Sequence, residues 1–206
     1  MRKLILIMAI CLMPAAAFAQ ETLFGDGDVT IGGFGGPVIG VTSLNGEPGL
    51  MIGGRGAVVI NKSIAIGGGG WGLSTMNIKE QIDFLDERRD VYLTMGYGGL
   101  NFEYIHNADK AYHFSTMLHV GWGAVQYHDE FEFGDDVEDD YDRYGSDSFF
   151  VLEPSVNFEV NMFKWMKVGI GGSYRFVSGV DNYHGLEDSD LSGLSGALTF
   201  KFGGNF

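Results

Sequence analysis

The sequence has little of several features that organise other proteins. It contains 1 cysteine, 4 prolines and 13 lysines and arginines against 27 aspartates and glutamates in 206 residues. A single cysteine excludes a disulfide scaffold, and the low proline content, with no three-residue glycine period, excludes collagen. A formal net charge of −14 argues against nucleic-acid binding, which needs a basic face. No stretch reaches about 18 consecutive apolar residues, so no transmembrane helix is predicted.

The N-terminal segment has the pattern of a cleaved export signal. Arg2 and Lys3 precede an apolar run over 4–13, which is too short to span a membrane as a helix. Ala17-Phe18-Ala19 fits the small-residue cleavage site. We therefore expect residues 1–19 to be a signal peptide that carries away the one cysteine, and residues 20–206 to be a single domain.

The rest of the chain alternates apolar and polar residues with a period of two, which predicts strands rather than helices. In 148–161, for example, Phe150, Leu152 and Val156 share one face, while Glu153 and Asn157 share the other. The same reading predicts about eight strands, at 28–44, 49–60, 63–75, 91–105, 111–127, 148–161, 166–179 and 192–203.

The connections between these strands differ in length in a regular way. The second, fourth and sixth are short turns, whereas the third, fifth and seventh, at 76–90, 128–147 and 180–191, are long and polar. Short turns at one end and long loops at the other are typical of an outer-membrane barrel. The sequence thus predicts a closed, antiparallel, up-and-down transmembrane β-barrel with short periplasmic turns and long extracellular loops.

Glycine and aromatic residues fit this prediction. The chain has 33 glycines, many of them in pairs inside predicted strands, where a tightly curved barrel needs bends and a narrow lumen needs small residues. Pro37 and Pro154 also fall inside strands and predict a bulge or irregular pairing there. Aromatic residues near strand ends predict two interfacial girdles: Tyr104, Tyr112, Trp165 and Phe202 at the turns, and Trp71, Tyr92, Tyr127, Phe149 and Phe176 toward the loops.

The chain resembles the small eight-stranded outer-membrane barrels of the OmpA/OmpX-like group. The resemblance rests on the signal ending Ala17-Phe18-Ala19, the unequal loops and the last strand, Leu198-Thr199-Phe200-Lys201-Phe202, with Phe206 sharing its apolar face. It implies that Phe200, Phe202 and Phe206 form a signal read by the barrel-assembly machinery. It also implies a location in the bacterial outer membrane, among lipid and lipopolysaccharide, but it does not select one function within the group.

Seven charged residues are predicted to face the lumen, where burial requires them to pair. We expect them to form an ionic network that keeps the barrel rigid; the alternative is a narrow, gated, porin-like channel. They are Arg55, Glu103, Glu153, Glu159, Lys167, Arg175 and Lys201.

The loop at 128–147 contains ten acidic residues and Arg143. It is either a solvated surface loop or a weak binding site for Ca²⁺ or Mg²⁺ that bridges lipopolysaccharide, although it lacks the spacing of an EF-hand. The candidate ligands are Asp135, Asp136, Glu138, Asp139, Asp140 and Asp142. For 76–90, we weigh a short amphipathic helix over the barrel mouth against a strand extension or plain loop, and favour the latter.

No catalytic site and no cofactor are predicted. His113 and Ser115 invite comparison with lipid-modifying hydrolases, but they follow a short turn and face the lumen, far from the outer leaflet. The favoured function is a structural or surface-interaction role of the barrel and its acidic loops, with an unknown extracellular partner. A channel is the alternative, and a lipid-modifying enzyme or a secreted lipocalin-like binder is less favoured.

Overall fold

The computed structural model describes residues 29–75, 79–84, 87–128, 145–181 and 185–206. The predicted signal peptide and all six candidate cation ligands of the acidic loop lie outside the described residues. Within this part of the chain, no helix is long and apolar enough to cross a membrane.

The described residues form nine strands and one short helix. They are β1 (Ile31–Leu44), β2 (Glu47–Ile60), β3 (Ile64–Leu73), β4 (Lys79–Phe84), β5 (Glu87–His106), β6 (Tyr112–His128), β7 (Asp147–Phe163), β8 (Met166–Ser178), α1 (Asp188–Leu191) and β9 (Gly193–Gly204).

Eight of these strands close into a barrel. Every pairing is antiparallel, β1 pairs with both β2 and β9, and the pairing of β3 with β5 completes the ring. The predicted eight-stranded, up-and-down barrel is therefore confirmed. Closure matters because it leaves no wall strand with an unpaired edge.

β4 is an additional strand beside the barrel wall. It pairs with β5 at Glu87–Tyr92, beyond the segment of β5 that pairs with β3. The amphipathic helix considered for 76–90 is therefore wrong, and the strand extension is confirmed. A ladder against β5 supplies backbone hydrogen bonds along this segment, whereas an isolated helix of this length is marginal in water.

The connections confirm the predicted asymmetry. At one end, which we call the turn end, strands are joined by 61–63, 107–111 and 164–165; at the other, the loop end, lie 74–86, 129–146 and 179–192. The first connection also lies at the loop end but is tight: Asn45 and Gly46 have φ of 47° and 78°. Positive φ at both central residues defines a type I′ hairpin turn.

Each of the two prolines interrupts the pairing with only one of its two neighbouring strands. Of the two predicted alternatives, this is irregular pairing and not a bulge. Pro37 pairs with Gly54 of β2, whereas the ladder to β9 skips from Gly35 to Val38. Likewise, the ladder between β7 and β8 skips Glu153 and Pro154 and then resumes in the same register. Each proline lacks an N–H, so it cannot complete the ladder on both sides.

The outer face of the barrel is apolar on all eight wall strands. Exposed large side chains occur on each, for example Ile39, Ile52, Ile66, Leu100, Trp122, Val156, Ile170 and Leu198. The interior, by contrast, holds most of the buried charged residues.

The interior has three layers. An apolar base at the turn end contains Phe34, Val59, Ala65, Ile105, Ala108 and Phe206. A polar middle layer follows, and above it lies an apolar upper core at the loop end, formed by Leu44, Met51, Val91, Leu93, Met95, Tyr97, Val125, Tyr127, Phe149, Val151, Val177, Leu186 and Leu191.

This layering corrects several predictions. The polar face of the alternating strands fills only the middle of the lumen, because both of its ends are apolar. Tyr127 and Phe149 are buried in the upper core, and Trp71 packs against it, so the outer girdle does not include them. Phe206 does not share the outward face of Phe202: Asn205 has φ of 56°, which breaks the alternation and turns the last side chain inward.

Candidate functional site

All seven predicted lumen charges lie inside the barrel. Their relative exposure ranges from 0% for Arg175 to 8% for Glu153. They come from five strands, because the two-residue period of each strand sends alternate side chains inward. The strands are β2 for Arg55, β5 for Glu103, β7 for Glu153 and Glu159, β8 for Lys167 and Arg175, and β9 for Lys201.

The lower part of the polar layer is an ion-pair network around Glu103. Arg55 Nη1 lies 3.1 Å from Glu103 Oε2, and Lys201 Nζ lies 2.8 Å from Glu103 Oε1. The same Lys201 ammonium lies 2.6 Å from Glu159 Oε1. Ser115 Oγ is within hydrogen-bond distance of both carboxylates, at 2.6 and 2.9 Å. The network thus ties five wall strands together across the barrel axis, namely β2, β5, β6, β7 and β9.

Glu153 and Arg175 form a separate group nearer the loop end. The Tyr97 hydroxyl donates to Glu153 Oε2 at 2.7 Å, and the Ser173 hydroxyl donates to Oε1 at 2.5 Å. Arg175 Nε donates to the Leu191 carbonyl at 2.8 Å and Nη2 donates to Thr42 Oγ1 at 3.2 Å. Arg175 therefore holds the last residue of α1 against the barrel wall.

The apolar base closes the network from below through cation–π contacts. The Phe34 ring centroid lies 4.5 Å from Lys201 Nζ and 5.4 Å from Arg55 Cζ. The Phe206 ring packs 5.6 Å from Phe34, and Lys167 Nζ lies 4.7 Å from the centroid of Phe206. Cations over ring faces are attracted by the ring quadrupole. In the described part of the chain the Lys167 ammonium has no hydrogen-bond partner, so this ring is its principal contact.

Sequence reasoning missed Phe34 and the upper core, although strand parity contained the signal. Phe34 has the same parity in β1 as the buried Val38, and Tyr127 has the same parity in β6 as the buried His119 and Ser115. Their positions near strand ends suggested that Tyr127 and Phe149 face the lipid, whereas parity places both side chains inside.

Glycines leave the room that these side chains need. A Cβ on Gly69 would lie 2.9 Å from both the Arg55 Cβ and the Asn101 amide nitrogen. A Cβ on Gly171 would overlap the amide oxygen of Asn157. Only glycine permits such close approach of backbone to a neighbouring side chain, so these positions explain part of the high glycine content.

The space that remains in the polar layer is small. Two cavities of about 30 and 40 Å³ share Glu153, Ser173, Trp71 and Val38 in their walls. Cavities of this size, lined by polar groups, hold one or a few water molecules. Ser155 Oγ, which has no protein partner in the described residues, belongs to a residue that lines the larger of the two cavities.

His113, Ser115 and Glu159 are close together but are not arranged for nucleophilic catalysis. Ser115 Oγ lies next to carboxylates, and His113 Nε2 lies 3.4 Å from Glu159 Oε2. A serine nucleophile needs a base in contact with its hydroxyl and access to substrate, whereas these three side chains are at most 3% exposed. Among the described residues, no group of three or more His, Cys, Asp or Glu side chains could hold a metal ion.

The predicted assembly signal is divided between two faces. Phe202 is 41% exposed on the outside, Phe200 is half-buried on the same face, and Phe206 is 8% exposed inside the base. The Phe202 ring also packs 6.1 Å from Trp165 of the turn before β8.

Comparison with known proteins yields matches of structure alone. No protein-family model matches the chain, and no curated protein matches its sequence. The structure of Neisserial surface protein A aligns with a TM-score of 0.58 at 9% identity, covering 87% of this chain and 100% of that one. The attachment invasion locus protein Ail of Yersinia pestis aligns at a TM-score of 0.44 with 11% identity, covering 85% and 97% of the two chains. The outer membrane protein OprG of Pseudomonas aeruginosa aligns at a TM-score of 0.43 with 10% identity, covering 85% of this chain and 96% of that one.

The agreement with Neisserial surface protein A extends over the whole of that chain and concerns backbone architecture. At this level of identity it identifies the fold and not the activity. The chain therefore has the fold of the small eight-stranded outer-membrane barrels, the group that its sequence resembles.

Proposed function

We propose that this protein is an integral barrel of the bacterial outer membrane, exported through a cleaved signal peptide, with a structural or surface-interaction role. Its acidic extracellular loop binds divalent cations or lipopolysaccharide. The turn end then faces the periplasm, and the loop end faces outward.

The observation that carries this proposal is the distribution of polarity across the wall. Large apolar side chains such as Trp122, at 68% exposure, and Ile170, at 64%, face outward, while charged side chains are buried inside. A soluble protein rarely exposes apolar patches of more than a few hundred Å². A closed barrel in lipid requires an apolar exterior and internally paired backbone groups. A secreted lipocalin-like binder would carry the opposite distribution.

Membrane location has a direct test. The folded protein should fractionate with outer membranes, resist extraction by alkaline carbonate and change its mobility on a gel after boiling. Recovery in the periplasm or medium as a folded, soluble protein would contradict the proposal.

The filled interior supports a structural rather than a conducting role. The polar layer lies between two apolar clusters, and its cavities are of the size of a few waters. We expect no single-channel current in planar bilayers. Discrete, reproducible conductance steps would instead favour the gated-channel alternative.

Cation binding is tested by neutralising the acidic loop. In the variant, Asp135, Asp136, Glu138, Asp139, Asp140 and Asp142 are replaced by Asn or Gln. A matched control neutralises acids of the 76–90 segment instead, at Glu80, Asp83, Asp86, Glu87 and Asp90. Calorimetry with calcium chloride, and then with lipopolysaccharide vesicles, should give heats that the first variant loses and the control retains. The absence of heat from the unmodified protein at millimolar calcium would remove cation binding from the proposal.

The proposed role is not enzymatic. Support comes from the burial of His113, Ser115 and Glu159, which are at most 3% exposed. Mass spectrometry of lipid A with and without the protein should give identical spectra; a difference would favour the lipid-modifying alternative.

During biogenesis, we propose that the barrel-assembly machinery reads Phe200, Phe202 and Phe206. The outward exposure of Phe202 is compatible with such reading. Phe202→Ala should reduce insertion in cells more than Ile170→Ala, an outward substitution on β8. Equal yields of the two folded variants would argue against the signal.

A further inference from the structure

The last residues of the chain turn into the barrel instead of continuing along its wall. β9 ends at Gly204, and the two-residue period of the strand would place residue 206 on the outward face, with Phe202. Asn205 has φ of 56° instead, in the left-handed region that asparagine adopts more readily than most residues. The Phe206 side chain therefore enters the lumen, where it is 8% exposed.

Two glycines make room for this turn. A Cβ on Gly32, at the start of β1, would overlap the carbonyl oxygen of Asn205, and a Cβ on Gly203 would overlap the carbonyl oxygen of Gly33. Both obstacles are backbone atoms, so a larger residue at either position would push the end of the chain away from β1. The start of β1 is thus shaped to the path of residues 203–206, which we call the tail.

Inside the lumen, the tail supplies one of the two aromatic rings of the apolar base. The Phe206 centroid lies 5.6 Å from that of Phe34 and 4.7 Å from Lys167 Nζ, and the Phe34 centroid lies 4.5 Å from Lys201 Nζ. The two rings are the largest side chains of the base, and each contacts one buried lysine. The remaining members are Val59, Ala65, Ile105 and Ala108.

Lys167 depends on this cover more than Lys201 does. Lys201 contacts two carboxylates. The Lys167 side chain is 4% exposed, yet its ammonium has no hydrogen-bond partner in the part of the chain that the structure describes. A buried ammonium without an acceptor would gain from contact with water, so its burial requires a barrier. The ring of Phe206 is in position to be that barrier.

The gain from burying an apolar ring does not by itself explain the inward turn. On the apolar exterior of a barrel in lipid, an outward ring is also removed from water, as for Phe202 and Trp165, whose ring centroids lie 6.1 Å apart. Only the inward position of Phe206 covers the turn end of the lumen and the ammonium of Lys167.

We infer that the tail is a plug that closes the turn end of the lumen, and that Phe206 keeps water and small solutes from the amine of Lys167. The plug is set when β9 pairs with β1, because the ladder between these strands runs to Gly33 and Gly204, next to Asn205. It acts at the end of the barrel opposite the acidic loop and does not depend on any ligand of that loop.

Lys167 itself can report whether the plug is closed. A buried amine reacts only when its surroundings open, and sulfosuccinimidyl acetate is a water-soluble reagent that acetylates amines. The protein is refolded in detergent micelles without the assembly machinery, so the proposed assembly signal plays no part. Mass spectrometry then measures acetylation at each lysine. Lys164, exposed in the turn before β8, is the internal reference, and the buried Lys201 reports opening of the whole interior.

Two variants remove the plug in different ways. Phe206→Ala deletes the ring, whereas Gly32→Ala displaces the tail and leaves the ring in the chain. The matched controls are Phe202→Ala, an outward ring of the same strand, and Gly35→Ala, whose Cβ would have its nearest contact at 3.9 Å. The change in gel mobility after boiling confirms that each variant is folded.

Relative to Lys164, acetylation of Lys167 should rise at least about tenfold in Phe206→Ala and Gly32→Ala and should stay unchanged in the controls. Lys201 should remain protected, because the other ring of the base still covers it. A folded Phe206→Ala variant with Lys167 as unreactive as before would overturn the inference. Equal acetylation of Lys201 and Lys167 would also overturn it, since the tail would then support the whole interior. If neither variant refolds, the unmodified protein decides: acetylation of Lys167 as fast as that of Lys164 would exclude a plug.

Discussion

Replacing Glu103 by Gln should be among the most destabilising single-atom changes in this barrel. The Glu103 side chain is 1% exposed and lies within 3.1 Å of Arg55 and 2.8 Å of Lys201. Lys201 keeps a second carboxylate, Glu159, at 2.6 Å. Among the described residues, Arg55 hydrogen-bonds only to Glu103 and to the Met117 sulfur, so the substitution leaves its buried charge without a carboxylate partner.

Breaking a buried ion pair by removing one partner costs about 3–5 kcal/mol. Gln retains a carbonyl oxygen that can still accept a hydrogen bond, so we expect about 3 kcal/mol, the lower end of that range. This corresponds to roughly a hundredfold change in the unfolding equilibrium, at about 1.4 kcal/mol per factor of ten. The matched control is Glu47→Gln: Glu47 is exposed at the start of β2, and its replacement should change the stability by less than about 0.5 kcal/mol.

The assay is reversible urea unfolding in detergent micelles or vesicles, followed by tryptophan fluorescence. The double variant Arg55→Met, Glu103→Gln removes both charges. Its loss of unfolding free energy should therefore be smaller than the sum of the losses in the two single variants, by at least about 1.5 kcal/mol, which is within the coupling range of contacting residues. A Glu103→Gln variant within about 1 kcal/mol of the unmodified protein, or additive losses in the double variant, would refute the reasoning.

Three other predictions use pairs or single sites of the wall. Leu100→Arg should destabilise the barrel in vesicles by about 2–4 kcal/mol, and Thr94→Arg by at most about 1 kcal/mol, because the cost of a cation depends on membrane depth; equal losses in urea titrations would contradict this. Gly171→Ala should impair folding, since its Cβ would lie 2.8 Å from the Val156 carbonyl oxygen and would overlap the Asn157 amide. Gly172→Ala, with its nearest contact at 3.9 Å, should be tolerated. Equal refolding yields of the two variants would contradict this. Phe34→Ala should cost about 3–5 kcal/mol, the usual range for truncating a buried phenylalanine, and a loss below 1 kcal/mol by the same titration would show that the apolar base is dispensable.

The sequence was sufficient to predict the barrel, its strand number and the inward position of the charges, since alternation fixes which side chains share a face. Polarity alone misassigned the ends of the lumen. Tyr127 and Phe149 are apolar and near loops, so they resembled girdle residues, although their parity matches that of buried polar neighbours. Phe206 could not be placed by parity, because the positive φ of Asn205 interrupts the strand period. β4 forms a hairpin with the start of β5, from Phe84 opposite Glu87 to Lys79 opposite Tyr92, and the charged residues of this segment left a plain loop equally open.

The ion-pair network has a consequence for the order of folding. Its members lie far apart in sequence: Arg55 is 48 residues from Glu103, and Lys201 is 98 residues beyond Glu103, on the last strand. In a sheet that is not yet closed, Lys201 on β9 and Glu103 on β5 are four strands apart, so this ion pair forms only when β9 meets β1. The final hydrogen-bonded seam and the neutralisation of the interior are therefore completed in the same event, which makes a half-closed barrel a costly state and closure cooperative.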